Sequence, residues 1–304
     1  MKKKVQKLQT SPNTPYSNEA NGVGSNLTPA QLEQKFRFAL GAHNAHLNLL
    51  ELAFRSFRAS LPQGPQGPGE DEYIRGLAKS HRLHSFYPSS ATVPEAHSYL
   101  FATHLAYVFS AADAYCKKIR KHPLLRGRRD KYEKIYDELN QGDFVTKTVA
   151  LTLLTWVEES TISTEFLQEK TQSVMKEPFF AVINYYRLVR NEDLHAAEED
   201  EDLKAEEAWN ALDKSSIKRF YKDQPSRGQE LSAADALLCS KAWQAGIKWI
   251  CRHMRPDADA QSILKLRFGR LIPERRKVAA EKYMRAEFLY APAEINDTLQ
   301  ALKW

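Results

Sequence analysis

Apolar residues recur at helical spacing in one segment after another of this 304-residue chain, and no stretch alternates long enough to predict a strand. Side chains three and four positions apart share one face of a helix, whereas a half-buried strand repeats every second residue. The chain holds 12 glycines and 14 prolines, a smaller share than average, which disfavours turn-rich sandwiches and barrels. The pattern therefore predicts an all-α protein.

Prolines and capping residues mark several helix starts. Thr28-Pro29 predicts a helix over about 29–60, and Pro94 opens another that ends before Pro123. The remaining helical patterns cover 129–140, 143–159, 178–198, 203–213, 230–254, 257–268, 273–288 and 292–303. We expect a bundle whose central helices are residues 95–121, 143–159, 178–198 and 230–254.

The chain divides where its composition changes. Residues 1–26 are polar and lack periodicity, which predicts a disordered tail. Residues 27–61 follow as an N-terminal helix. Repeated Pro and Gly over 62–69 can support neither a helix nor a central strand, so 62–93 is predicted to be a linker and loop. The main helical domain is then 94–255, and residues 256–304 form a C-terminal helical extension.

The net charge of +6 hides an uneven distribution. The segment 192–207 contains nine acids and one lysine, a net charge of −8, which leaves +14 on the other 288 residues. Basic proteins of this kind attract polyanions such as nucleic acid. The sequence thus describes a basic protein with one concentrated acidic segment.

Compartment signals indicate a cytoplasmic protein that does not engage a membrane. The three cysteines form no C-x-x-C pair, which argues against a disulfide framework and a structural zinc site. The lysines at the amino terminus are not followed by the apolar stretch of a signal peptide. The longest nearly apolar run, Val149 to Val157, covers about half a membrane span.

Common cofactor and metal motifs are absent from the sequence. There is no P-loop, no G-x-G-x-x-G after a strand and no G-x-S-x-G. His43-x-x-His46 and His81-x-x-His84 have a spacing that could bind metal, but no neighbouring Cys or patterned carboxylate completes a site. We therefore expect neither a cofactor nor a metal ion.

One helix carries residues suited to catalysis. The segment from Pro178 is apolar on one side and then reads Arg190-Asn191-Glu192-Asp193-Leu194-His195. On an ideal helix Asn191 lies about 40° from His195, whereas Arg190 lies about 140° from it. A histidine can transfer protons near neutral pH and a guanidinium can hold a phosphate, which is what metal-free RNA cleavage needs. The alternative interpretation is a helix end with capping charges.

The spacing Arg190-Asn191-x-x-x-His195 resembles the R-N-x-x-x-H signature of HEPN domains. The preceding helix from His104 resembles their long first core helix, which often carries a small polar residue and an acid, here Ser110 and Asp113. The resemblance covers roughly 95–255, about half the chain. It implies a HEPN-like helical bundle, to which this chain adds N- and C-terminal helices.

The resemblance also implies a function. Similar domains are metal-independent endoribonucleases that cleave through the 2′-hydroxyl, often as homodimers with a composite active site, and many act as toxins or anti-phage effectors on tRNA or other RNA. By this analogy His195 is the general acid or base, Arg190 binds the phosphate and Asn191 orients them. Ser110, Asp113 and Glu192 are supporting candidates.

The sequence departs from the family pattern in its acidic run. Seven acids lie between Glu192 and Asp202 and would repel RNA unless they point away, gate the cleft or bind a regulatory protein partner. Two basic segments provide the opposite charge. Their candidate RNA-binding residues are Lys117, Lys118, Arg120, Lys121, Arg126, Arg128, Arg129, Arg267, Arg270, Arg275 and Arg276. The alternative function is a non-catalytic helical interaction or RNA-binding module.

Overall fold

A computed structural model describes residues 27–61, 69–83, 92–138, 143–155, 162–194, 199–221, 225–227, 231–254 and 257–304. The helices within these ranges are α1 (Pro29–Ser60), α2 (Glu70–Ser80), α3 (Val93–Arg120), α4 (Pro123–Lys131), α5 (Glu133–Glu138), α6 (Phe144–Leu153), α7 (Thr164–Met175), α8 (Pro178–Leu194), α9 (Glu199–Ala211), α10 (Lys214–Phe220), α11 (Ala233–His253), α12 (Asp257–Phe268), α13 (Pro273–Phe288) and α14 (Pro292–Ala301). No strand occurs there, which confirms the all-α class, and none of these helices has the length and apolarity to cross a bilayer. The predicted disordered tail, residues 1–26, lies outside the described residues.

The helix starts follow the capping signals of the sequence. At α1, the Thr28 hydroxyl accepts from the Gln31 amide at 3.3 Å, and the Thr28 amide donates to the Gln31 side chain at 3.1 Å. Thr92 and Glu95 form the same reciprocal pair at α3. Such capping boxes satisfy two amides that a helix start would leave unpaired. The predicted helix over 29–60 is confirmed to the residue.

Helices α2, α7 and α10 form where the sequence predicted none, and most of α4 also lies outside the predicted helices. Helix α2 lies inside the predicted linker and loop, and it buries Ile74 and Ala78 while three acids occupy its first turn. Helix α7 begins at Ser163, whose hydroxyl caps the Phe166 amide, and it buries Leu167 and Thr171. Both α2 and α7 are short helices with only two buried positions each, so their hydrophobic period is too brief to stand out from the sequence.

Four long helices, α1, α3, α8 and α11, make up the centre of the bundle. Helices α1 and α3 run antiparallel, because Glu51 pairs with His97 near one end and His122 bonds to the Leu27 carbonyl at the other. Helix α11 packs against the other three. Helix α1 was not predicted among the central helices, but its contacts with α3 and α11 make it one of them.

The core is densest around α11. Trp243 is fully buried, with Phe109 of α3 edge-on at 5.5 Å and Phe144 of α6 stacked at 5.7 Å between ring centroids. One turn later, a Cβ on Gly246 would come within 3.1 Å of Ile183 on α8. Glycine at this position therefore allows α8 and α11 to approach closely.

The last three helices build a second, smaller hydrophobic cluster. Its buried members are Leu264, Ala280, Met284, Phe288, Tyr290, Ile295, Leu299 and Leu302. Leu124 of α4 packs against this cluster. Through Leu124, the start of α4 contacts the cluster to which α12 and α13, the helices of the second basic segment, contribute.

Candidate functional site

The motif helix α8 is anchored by its apolar side. Val182, Ile183, Tyr186 and Val189 are all buried, as their helical spacing predicts. They pack into the main hydrophobic core that also contains residues of α3 and α11. This packing fixes the rotation of α8 and therefore decides where its polar residues lie.

Arg190 lies at the contact of α8 with α3. Its guanidinium carbon stands 5.1 Å from the ring centroid of Phe109, a cation–π distance, and Nη2 donates to Oδ1 of Asn191 at 2.6 Å. Its Nε is buried and has no hydrogen-bond partner among the described residues. Burial lowers the pKa of Arg190, and the nearby charge of Arg187 lowers it further. The side chain stays charged, since a guanidinium is not deprotonated in proteins.

Asn191 is the one predicted motif partner that the structure places against Arg190. Its amide oxygen accepts the Arg190 hydrogen bond, so the two side chains form a unit at the half-exposed end of α8. The described part of α8 ends at Leu194. His195 and the side chain of Glu192 lie outside the described residues.

The two supporting candidates on α3 do not join this unit. Ser110 is exposed, and Asp113 accepts from Lys117 at 2.6 Å in an ion pair along the same helix. Neither forms a hydrogen bond with Arg190 among the described residues. Asp113 therefore serves to hold Lys117, one of the predicted RNA-binding residues.

Arg187 was not predicted as a site residue from the sequence. It lies three positions before Arg190, donates to Oδ1 of Asn184 at 2.9 Å and stands 3.6 Å from Asp143, the N-cap of α6. Its Nε is buried without a hydrogen-bond partner among the described residues. The i, i+3 spacing of two arginines in the motif helix was the signal that could have identified it.

A cleft opens beside Arg187 between α6, α7, α8, α9 and α10. It has a volume of about 730 Å³, and Asp143 and Asn184, the two partners of Arg187, both line it. Thr171 also lines the cleft, and its hydroxyl is buried without a hydrogen-bond partner among the described residues. The lining is mixed polar and apolar, and α8 contributes Pro178, Ala181 and Asn184 from its first half.

Some of the predicted RNA-binding residues have structural partners instead. Arg120 donates to the Phe144 carbonyl at 2.9 Å and to the Thr148 hydroxyl at 3.0 Å, so it fastens α3 to α6. Arg276 donates to the Leu271 carbonyl at 2.8 Å, and Arg267 stands 4.5 Å over the Tyr283 ring. Arg126 lies 3.9 Å from Asp130.

Other members of the two basic segments are exposed to solvent or are not described. Lys118, Lys121, Arg129, Arg270 and Arg275 expose their side chains. The side chain of Arg128 lies outside the described residues. Leu124, which lies between Lys121 and Arg129 in the chain, packs against the C-terminal cluster, and we call the exposed cations of the two segments the basic surface.

Of the two histidine pairs, His43 and His46 lie within the described residues. His43 stacks on Tyr107 at 3.5 Å and on His104 at 4.5 Å, while His46 is exposed. His84 lies outside the described residues. Within the described part of the chain, no group of three or more His, Cys, Asp or Glu side chains is placed to hold a metal ion.

Three comparisons with known proteins found no match to this chain. No protein-family model matches the chain. No curated protein and no solved structure matches it either.

Proposed function

We propose that this protein is a HEPN-like endoribonuclease that cleaves RNA without a metal ion. The observation that supports it best is the Arg190–Asn191 pair at the half-exposed end of α8. Phe109 holds the guanidinium in place, and a positioned guanidinium stabilises the charge that develops on a phosphate during cleavage. This is the chemistry that the motif spacing predicts.

In the proposed reaction His195 removes the proton of an RNA 2′-hydroxyl. The 2′-oxygen then attacks the adjacent phosphorus, and the bond to the 5′-oxygen breaks as that oxygen takes up a proton. The products are a 2′,3′-cyclic phosphate end and a 5′-hydroxyl end. Arg190 balances the negative charge on the phosphoryl oxygens, and Asn191 keeps the guanidinium oriented.

The basic surface supports RNA as the substrate. Lys117 lies eight residues along α3 from Phe109, about 12 Å at the helical rise. Lys121 and the exposed arginines near Leu124 continue in the same direction along the chain. A strand bound at Arg190 could extend over these cations, which makes affinity dependent on salt. We also propose that the protein is a homodimer, that its substrate is tRNA, and that it acts as a toxin or in defence.

The direct test is incubation of the purified protein with total RNA in EDTA. We expect cleavage to ends with a cyclic phosphate, and we expect His195→Ala and Arg190→Ala to lower the rate by about a thousandfold or more. His46→Ala, which changes an exposed histidine on α1, is the matched control and should retain full activity. Circular dichroism checks that each variant is folded.

The outcomes separate the candidates clearly. Cleavage by the His195→Ala protein at the wild-type rate would rule out the mechanism. RNA binding without cleavage by the wild type would favour a non-catalytic RNA-binding module. The packing of Arg190 on Phe109 with a buried Nε is the observation that favours this second function, since a structural arginine has the same contacts.

The acidic run offers a separate prediction. If it shields the basic surface, neutralising Glu198 to Asp202 with Gln and Asn should tighten RNA binding about tenfold at low salt, and the gain should shrink as salt is added. Neutralising Glu70, Asp71 and Glu72 in the first turn of α2 is the control for net charge. Filter binding over a salt series measures both. An equal gain in RNA affinity per charge removed from the acidic run and from α2 would show that the run does not shield the basic surface.

A further inference from the structure

Helix α1 is apolar on two opposite faces, and only one of them is covered. Leu32, Phe36, Leu40 and Leu47 are buried in the main core. On the other side Phe38 is 64% exposed, Leu49 64% and Leu52 62%. A surface helix normally has one apolar stripe facing the core and a polar face outside. The second stripe therefore has no partner within the described part of this chain.

We name this second stripe the open face of α1. At 100° per residue, its members lie within about 60° of Phe38 around the helix. They are Gln31, Gln34, Lys35, Phe38, Gly41, Ala42, Ala45, Leu49, Leu52, Ala53, Ser56, Ala59 and Ser60, all of them exposed. A Cβ added to Gly41 would meet nothing within 4 Å, so the protomer leaves the space above it empty.

The open face carries one charge, that of Lys35, which lies at its edge about 60° from Phe38. Arg37 and Arg55 lie at its rim, where Glu33 approaches Arg37 at 3.9 Å and Glu51 binds Arg55 at 2.6 Å. Because Lys35 lies at the edge, its long side chain can keep the ammonium group in water when the face is covered, which avoids the cost of burying an unpaired ion. A partner that relied on charge would find little to bind here.

We propose that the open face is the contact through which two copies of this chain form an antiparallel dimer. The sequence of the face is self-complementary about the level of Leu47. In an antiparallel pair centred there, Leu49 lies opposite Ala45 of the partner subunit, Leu52 opposite Ala42 of the partner subunit, and Phe38 opposite Ser56 of the partner subunit. Each large side chain meets a small one, as a two-fold contact between identical surfaces requires.

The available area is consistent with a modest dimer. Taking one third of a cylinder about 11 Å wide over 30 residues, about 45 Å, gives roughly 500 Å² per copy and roughly 1,000 Å² in total. Stable interfaces begin at about this size. The dimer is thus expected to have a micromolar rather than nanomolar dissociation constant.

The dimer has a consequence for the motif. Helix α1 packs on α3 and α11, and these two helices also carry α8. The open face points away from both of them, so the two copies of Arg190 would lie on the outer sides of the assembly. A composite active site of the kind implied by the family resemblance would then need a second contact surface.

Sedimentation velocity of the full chain and two matched variants tests the dimer. Leu49→Glu places a charge on the open face, whereas Leu50→Glu alters the next residue, which is 51% exposed on a different side of the helix. We expect a concentration-dependent dimer for the wild type and for Leu50→Glu. Leu49→Glu should weaken it by about a hundredfold or more, because the change occurs twice per dimer.

Cross-linking tests the antiparallel register. An oxidised mixture of an Ala45→Cys protein and a Leu49→Cys protein should form mixed disulfide dimers faster than either protein alone. The native cysteines do not compete, because all three are buried and burial raises the pKa of each thiol.

Three results would overturn the proposal. The first is a wild-type protein that stays monomeric at every concentration, whether or not the monomer binds anionic vesicles through Leu49. The second is equal dissociation by Leu49→Glu and Leu50→Glu. The third is faster linking of Ala45→Cys with itself than in the mixture. None of these measurements depends on RNA cleavage, so the failure of one proposal leaves the other to be judged separately.

Discussion

Replacing Asp235 with alanine is expected to lower the free energy of unfolding by about 3–5 kcal/mol. Asp235 is fully buried at the start of α11, and its carboxylate accepts five hydrogen bonds. The donors are the Tyr186 hydroxyl at 2.7 Å, the Ser226 amide and hydroxyl at 2.7 and 2.8 Å, and the Ser232 amide and hydroxyl at 3.0 and 2.6 Å. Its removal would leave the donors of Tyr186, Ser226 and Ser232, on three segments of the chain, without their acceptor.

Urea denaturation of wild-type and variant protein measures this loss. Asp213→Ala is the matched control, because Asp213 also caps a helix, accepting from the amides and hydroxyls of Ser215 and Ser216, but does so in an exposed position. Water can replace Asp213 as an acceptor, so its removal should cost much less. A similar decrease in the free energy of unfolding for the two variants would show that burial does not determine how much the Asp235 hydrogen bonds stabilise the protein.

Acidification is expected to destabilise the protein through His104. This ring is 4% exposed, lies 3.3 Å from the Ser240 hydroxyl and stacks on His43. Burial, and then the charge of His43, lower the pKa of His104 to about 4 from 6.5. The unfolded chain takes up this proton near pH 6.5, while the folded protein resists it down to about pH 4. Stability is therefore full above pH 6.5 and is lost as the pH falls towards 4.

The shift corresponds to about 3 kcal/mol from His104 alone. Burial also lowers the pKa of His43 and of His122, so both act in the same direction. His104→Gln keeps a group that can bond to Ser240 but never titrates. Its unfolding free energy should fall less steeply between pH 6.5 and about pH 4 than that of the wild type. Parallel curves for the two proteins would contradict the assignment to His104.

Helix starts were the most predictable part of the fold, since they depend on neighbouring residues alone. Thr28-Pro29 and the proline at 273 specify starts that the structure reproduces. Helix α2 and the inclusion of α1 in the central bundle were not predictable in this way. They depend on which apolar surfaces meet across the fold, and a single sequence contains no record of that pairing.

The candidate site shows the same division. The sequence singled out Arg190 and Asn191, and the structure shows a hydrogen bond between them. The sequence could not indicate that Phe109, some eighty residues earlier, supports the guanidinium, or that Asp143 lies beside Arg187. The spacing Ser232-x-x-Asp235 is a capping signal that can be recognised in the sequence. The hydrogen bond from Tyr186 to the buried Asp235 cannot be recognised there, because Tyr186 is distant in sequence.

The pairing of α1 with α11 also sets an order of events during synthesis. The first of these helices ends at Ser60 and the second begins at Ala233. A ribosome adding about 5–20 residues per second needs roughly 10–35 s to cover that interval. Until α11 is made, the part of α1 that it covers stays exposed, although α3 can already pack beside α1. In the proposed dimer, the open face also stays exposed until a second chain binds. We therefore expect early contact between neighbouring nascent chains, or chaperone binding to residues 32–52.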